Sequence, residues 1–171
     1  MSQLRRLLRG VLIFFGILFV LGGVGALLPR EHVAMKVVEL PAPPAKVYAA
    51  IRDVEHAPSW RSGVKTVEIL PAQGERQRYR EVGDEGPITF EILQEVPEQR
   101  LVVQIADIHL SFGGRWVFQL APGAGGGTQL SLAEVGDIPN PLIRFFAHYF
   151  FGFHGSIEQY LSDLQAHLGK G

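Results

Sequence analysis

Six histidines, His32, His56, His109, His148, His154 and His167, are scattered along the chain. None falls in an HExxH pattern or another metal-ligand spacing, so no metal centre is implied. The sequence has no cysteine, which excludes disulfides, thiolate metal sites and cysteine nucleophiles. Ser111, Ser131, Ser156 and Ser162 all lack the GxSxG setting of a hydrolase elbow. The glycine-rich run from Pro122 to Gly127 has no Lys-Ser/Thr ending and opens no helix. It reads as a hairpin loop rather than a phosphate cradle. Three residues remain as candidates for moving a proton: Tyr79 and Glu134 on strand-like runs, and His148 in a helical one. Each also has a plainer reading. Tyr79 is a core aromatic, Glu134 a strand-end charge in water, and His148 a lone helical histidine. No cofactor is implied.

The elements that would position these groups are mostly strands. Residues 32–40, HVAMKVVEL, alternate, with Val33, Met35 and Val37 on one face. Pro44 then suits the first turn of a helix, and Val47, Ala50, Ile51 and Val54 recur at three- and four-residue spacing. A second short turn around Pro58 ends at Trp60. Six strand-like runs follow, at 64–70, 75–82, 88–96, 100–108, 115–121 and 128–135. The turns between them are short enough to make neighbouring runs antiparallel hairpins. Arg76, Arg78 and Arg80 share one strand face, which keeps that face solvated. The chain closes with a helical pattern capped by Asn140 and Pro141. It carries Ile143, Phe146, Phe150, Phe153, Ile157, Leu161, Leu164 and Leu168 on one stripe, interrupted at Gly152 and Gly155.

The first 30 residues are a separate unit, giving two segments, 1–30 and 31–171. Four of the 16 basic side chains, Arg5, Arg6, Arg9 and Arg30, and none of the 17 acidic ones lie in residues 1–30. Residues 31–171 are therefore mildly acidic, which argues against nucleic acid as a partner. Val11 to Leu28 is an uncharged apolar run that would span roughly 27 Å as a helix, about one bilayer core. Residues 7–28 are expected to contact the membrane. The arginines ahead of the run place the N-terminus in the cytoplasm and the domain across the membrane. Two readings stand for this segment. One is an uncleaved single-pass anchor; the other is a signal peptide cut near Ala26, leaving a secreted or periplasmic domain.

The order of strand, two short helices, six strands and long helix is an α+β arrangement. A curved antiparallel sheet of six to seven strands would be covered by a terminal helix of roughly 40 Å. That order, with PPAKVYAAIRDVEHAPSWRSGVKTVEIL, GGRWVFQLAPGAGGGTQLSLAE and IEQYLSDLQAHL, resembles the SRPBCC superfamily. This is the START-like or Bet v 1-like helix-grip fold, and the likeness is nearest its polyketide cyclase/dehydrase-like branch. The resemblance covers about residues 32–168. It implies a hydrophobic cavity between sheet and C-terminal helix, occupied by a lipid-like or polycyclic small molecule. The sequence offers linings for such a cavity. They are Phe90 and Ile92; Val103 and Ile105; Trp116 and Phe118; Tyr79; Phe146, Phe150 and Phe153 from the helix; and Trp60 at the closed end.

The run LIRFFAHYFFGF, residues 142–153, is more apolar than one buried face needs, leaving Phe145, Tyr149 and Phe151 in surplus. They would pack against loops and the short helices, or form an aromatic rim at the membrane interface. Three functions fit these readings: a membrane-anchored carrier of an apolar molecule, a cyclase- or dehydratase-like enzyme, and an interaction module with a filled core. The topology has a direct test. Protease added outside intact spheroplasts is expected to digest residues 31–171, whereas full protection would place the domain in the cytoplasm.

Overall fold

A computed structural model describes residues 2–84, 86–151 and 155–169, with backbone only for Ser2 and Phe151. Helix α1 (Ser2–Leu27) leads into β1 (Glu31–Leu40), α2 (Pro44–Arg52) and a 3-10 turn (Ala57–Ser59). Strands β2 (Val64–Gln73), β3 (Arg76–Gly83), β4 (Gly86–Val96), β5 (Arg100–Ile105), β6 (Gly113–Pro122) and β7 (Thr128–Asp137) follow. Helix α3 (Pro141–Phe146), a π turn (Ala147–Phe151) and α4 (Gly155–Leu168) complete the described chain. All strand pairs are antiparallel, in the order β1-β7-β6-β5-β4-β3-β2. Hairpins join β2 through β7 in sequence, and β1 returns to the open edge of β7. This is the helix-grip fold.

The end of β5 falls three residues earlier than the alternation predicts. Asp107 accepts a hydrogen bond from the His109 backbone N–H at 3.2 Å and turns the chain, which leaves Ile108 88% exposed. Strand β1 is apolar on both faces, so alternation alone does not select its core face. Val33, Met35 and Val37 lie on the exposed outer face, while Ala34 and Leu40 are buried on the inner one. Inward-facing Lys36 reaches across to Glu158 of α4 at 2.9 Å.

Helix α2 and the 3-10 turn form a brace along the inner face, from the far end of β1 to the start of β2. Val47, Tyr48, Ile51 and Val54 are buried under it. The brace is also tied by polar groups: Tyr48 Oη donates to Glu95 Oε1 at 2.6 Å, and Arg52 Nε donates to the same oxygen at 2.8 Å. Thr128 is fully buried and donates through Oγ1 to the Ala42 carbonyl at 2.6 Å.

Where the sequence predicts a single long terminal helix, the described residues form α3, a π turn that follows it directly and, from Gly155, α4. Asn140 caps α3 as predicted, its Oδ1 accepting from the Leu142 and Ile143 backbone N–H groups at 2.9 and 3.2 Å. Only α4 lies on the sheet, burying Ile157, Tyr160, Leu161, Leu164 and Leu168. Helix α3 packs instead against the end of α1. A Cβ on Gly25 would collide with the Pro141 carbonyl oxygen and stand 3.3 Å from Phe145 Cβ. Glycine permits that approach. Arg144 secures it, donating to the carbonyls of Leu28, Ile138 and Pro139 at 2.8, 3.1 and 3.0 Å. Gly152, the other expected bend in the helix, lies outside the described residues.

The most apolar 18-residue window of α1 has a mean hydropathy of 2.5 and is almost entirely exposed. The helix is long and apolar enough to cross a membrane, and a signal sequence has the same length and composition. The packing assigns distinct costs to the two faces. Leu164→Ala, at a fully buried site, is expected to cost about 2–5 kcal/mol. Met35→Thr, on the outer face, should change stability by no more than about 0.5 kcal/mol. Urea denaturation of the two variants compares them directly.

Candidate functional site: a cavity under the short end of the helix

Register brings the inward-facing side chains into rows across the sheet. Tyr79 stands opposite Phe90, and Phe90 opposite Ile105. The next row runs Ile92, Val103, Trp116, Glu134 and Ala34. A third contains Leu101 and Phe118. Toward Leu40 these rows are filled by the brace and by Leu164 and Leu168 of α4, which join the same core. Toward Glu31 the cover is thinner, and a cavity of about 680 Å³ remains. Its walls are Tyr79, Phe90, Leu101, Val103, Ile105, Trp116 and Phe118 from the sheet. Ser156, Gln159, Tyr160 and Asp163 come from α4, and Ile51, Val54 and Arg61 from the brace and the loop after it. His32, Gly83, Asp84, Gly86, Phe112, Gly114 and Gly136 surround the end nearest α1.

Among the expected lining residues, Tyr79, Phe90, Val103, Ile105, Trp116 and Phe118 line this cavity. Ile92 does not; it is 7% exposed within the solid core. Trp60 also stands outside, its ring stacked on His167 at 5.4 Å and edge-on to Tyr160 at 5.5 Å. It braces the wall from behind. Phe146 and Phe150 are corrections of a different kind. Neither lines the cavity: Phe146 is half-buried in α3 with its ring against Phe145 and Phe150 at 5.5 and 5.8 Å, and Phe150 is 69% exposed. Phe153 and His154 lie outside the described residues, as does the side chain of Phe151.

The proton-transfer candidates separate in the same way. Glu134 is on the inner face, lines the cavity and accepts from Ser156 Oγ at 2.5 Å. Tyr79 lines it too. His148 does not, being exposed with its ring against Tyr149 at 4.8 Å.

Sequence reading misses the polar centre of the cavity. Arg61 donates through Nη1 to Glu81 Oε1, and both line the space. Glu81 is 7% exposed. Burial opposes the Arg61 charge, but attraction to Glu81 and the shared hydrogen bond outweigh it and raise the guanidinium pKa. The same guanidinium lies 5.2 Å from the Tyr160 ring centroid, a cation–π distance. Tyr160 is also edge-on to Trp116 at 5.4 Å and tilted against Phe118 at 5.4 Å. Burial pushes both Tyr79 and Tyr160 well above the ordinary phenol range. Both phenols therefore stay protonated and remain hydrogen-bond donors. Asp163 is different. Burial raises its pKa, but hydrogen bonds from the Ser62 backbone and hydroxyl and from Gln159 lower it further, and it stays ionised.

The only sequence signal for Glu81 is alternation, since it shares the inner face with Tyr79. Nothing near Arg61 in sequence announces its partner 20 residues away. Among the described residues, no cluster of three or more histidine, aspartate and glutamate side chains is placed to hold a metal ion.

The family model for polyketide cyclase/dehydrase and lipid transport proteins matches residues 31–169. The chain belongs to that family. The fold agrees. A START superfamily protein from Mycobacterium smegmatis aligns with a TM-score of 0.61 at 16% identity, over 81% of this chain and 98% of that one. The Zhui aromatase/cyclase from Streptomyces sp. R1128 gives 0.62 at 16% identity, over 82% and 93%. A protein from Thermus thermophilus gives 0.61 at 22%, over 81% and 96%. These likenesses place the chain in the START-like, SRPBCC fold. No curated protein matches it.

The buried ion pair has a measurable signature. Glu81→Leu leaves Arg61 without its counter-charge and is expected to cost about 3 kcal/mol or more. The double change Arg61→Met with Glu81→Leu should recover most of that loss, because no buried charge is left unpaired. Chemical denaturation of the two variants checks the ordering.

Proposed function

We propose that this chain is a membrane-anchored binding protein for an apolar or amphipathic small molecule, held in the cavity between sheet and α4. The observation that carries the reading is the cavity itself. A space of about 680 Å³ is within the range that encloses a drug-sized ligand. Its wall is largely aromatic and aliphatic, so burial of apolar area supplies the affinity. Residues 31–171 would be the binding module and residues 1–30 the anchor, with the N-terminus cytoplasmic and the module on the outer side. Retention of the anchor is supported by the fitted contact of Gly25 with Pro141 and Phe145. Cleavage after Ala26 would discard one side of it.

The electrostatics narrow the ligand class. Four carboxylates, Glu81, Asp84, Glu134 and Asp163, line the cavity against two guanidiniums, Arg61 and Arg115. Arg61 is already matched by Glu81 and Asp84 by Lys65, which leaves Glu134 and Asp163 against Arg115. An anionic head such as a fatty-acid carboxylate would meet more repulsion than attraction there. A neutral head with an oxygen acceptor suits the phenols of Tyr79 and Tyr160. The ligand-contacting residues are Tyr79, Phe90, Val103, Ile105, Trp116 and Phe118, joined by Arg61, Glu81 and Tyr160.

One observation favours a second reading. A purely passive carrier needs no buried Arg61–Glu81 pair flanked by two protonated phenols. Such groups could polarise a carbonyl and move a proton during a dehydration or cyclisation, and the similar Zhui protein is named an aromatase/cyclase.

Binding is tested with the delipidated protein and a neutral naphthalene fluorophore. Saturable binding is expected, with neutral amphiphiles displacing the probe better than fatty-acid anions of equal length. Val103→Trp, which fills the cavity, should weaken binding at least tenfold without loss of secondary structure by circular dichroism. Absence of saturable binding by the parent protein would remove the carrier reading and the enzyme reading together.

A further inference from the structure

We propose that residues 141–151 form a second membrane contact beside α1, which sets the mouth of the cavity on the bilayer surface so that ligand exchanges directly with the lipid phase. This rests on the reading of α1 as a retained anchor.

Helix α1 is the only described helix long and apolar enough to span a bilayer, so its last turns lie at the level of one membrane interface. The following segment is held there rather than hanging free. Gly25 abuts Pro141 and Phe145, and Arg144 donates to the Leu28 carbonyl at 2.8 Å. Arg30 forms a two-point ion pair with Asp137 at 2.6 and 2.8 Å, and Ile138 N–H donates to the Arg30 carbonyl at 3.0 Å. Helix α3 is therefore fixed at the depth of the end of α1.

Its composition suits that depth. No acidic residue occurs between Asp137 and Glu158. The Arg144 guanidinium is turned inward onto three backbone carbonyls. Ile143, Tyr149 and Phe150 are 39%, 56% and 69% exposed, an apolar and aromatic surface of the type that settles among lipid headgroups. Ile108, 88% exposed in the β5–β6 connection, stands at the same end of the sheet.

Register then locates the mouth. Glu31 pairs with Asp137 and Asp137 with Gly113, the last row of the sheet at the α1 end. The cavity is bordered by the neighbouring row, His32, Gly114 and Gly136, and by Ile138 and Ala147 from the clamped segment. The opposite end is closed by core. The bilayer is the occupant the observations favour, because α1 already places a leaflet against this face. A second copy of the chain would have to displace that leaflet.

The test uses the full chain reconstituted in phosphatidylcholine vesicles. The natural sequence lacks cysteine, so Tyr149→Cys, Phe15→Cys and Gln73→Cys each give one site for an environment-sensitive fluorophore. The expected result is a blue-shifted label at 149, quenched more by lipids with quenchers just below the headgroups than by lipids with quenchers at the chain ends. The label at 73, at the far end of β2, should report water. A label at 149 that reports water while the label at 15 reports the bilayer core overturns the second contact and leaves the anchor standing. A label at 15 that also reports water overturns both. A blue shift at 149 that lipid quenchers do not touch, and that fades on dilution of protein in lipid, assigns the surface to a second copy and also overturns the proposal. As a functional readout, Ile143→Ser with Tyr149→Ser should slow transfer of the naphthalene probe from vesicles at least fivefold while its affinity for the cavity is unchanged. An unchanged transfer rate would overturn direct exchange with the lipid phase.

Discussion

Strand β1 is ten residues, or about 33 Å, long, and a single helix lying on the concave face is only about 10–12 Å wide. That mismatch governs the molecule. Leu164 and Leu168 of α4, with Val47, Tyr48 and Ile51 of the brace, fill the half of the concave face nearest Leu40. They cannot also reach the half nearest Glu31, where the inward aromatics Phe90, Trp116 and Phe118 face open space instead of a partner helix. Helix α3 packs on the end of α1 and leaves that half without a second helix over it. The cavity and the membrane-side element thus have one origin.

The cavity in turn explains why a charged pair is tolerated inside. Arg61 and Glu81 are costly to desolvate, and replacing such a pair with apolar side chains is often neutral or stabilising. Here the pair sits where the wall is not packed solid. Tyr160 shares the cost, its ring 5.2 Å from the Arg61 guanidinium and packed against Trp60, Trp116 and Phe118. Asp163 is held by Ser62 and Gln159, joining α4 to the loop that carries Arg61. The polar groups therefore fix the angle between brace and helix as well as the character of the cavity.

The proline-rich stretch after β1 has a structural part in this. Pro44 starts α2, Val47 and Ile51 seat it, and the turn through Ser59 delivers both Trp60 and Arg61 to the Tyr160 ring. Trp60 supports the wall from outside the cavity while the next residue enters it. A single step along the chain separates a packing residue from a ligand-facing one.

Order and local chemistry were legible in the sequence. Strand alternation, the Pro44 and Pro141 helix starts, the Asn140 cap, and the inward placement of Tyr79, Phe90, Val103, Ile105, Trp116 and Phe118 all follow from periods of 2 and 3.6 and from turn chemistry. The uncharged run of α1 is equally local. What the sequence could not supply depends on contacts between distant segments. Strand β1 is apolar on both faces, so only the position of α4 decides that Ala34 and not Val33 is core. The stripe from Ile143 to Leu168 is continuous by spacing, yet Gly25, over a hundred residues earlier, abuts Pro141 and Phe145, so α3 packs on α1 while α4 packs on the sheet. Arg61 and Glu81 meet because the brace crosses the sheet there, a fact of tertiary geometry with no signature in either local sequence. Periodicity reports what each segment can bury; only the folded chain decides what each is buried against.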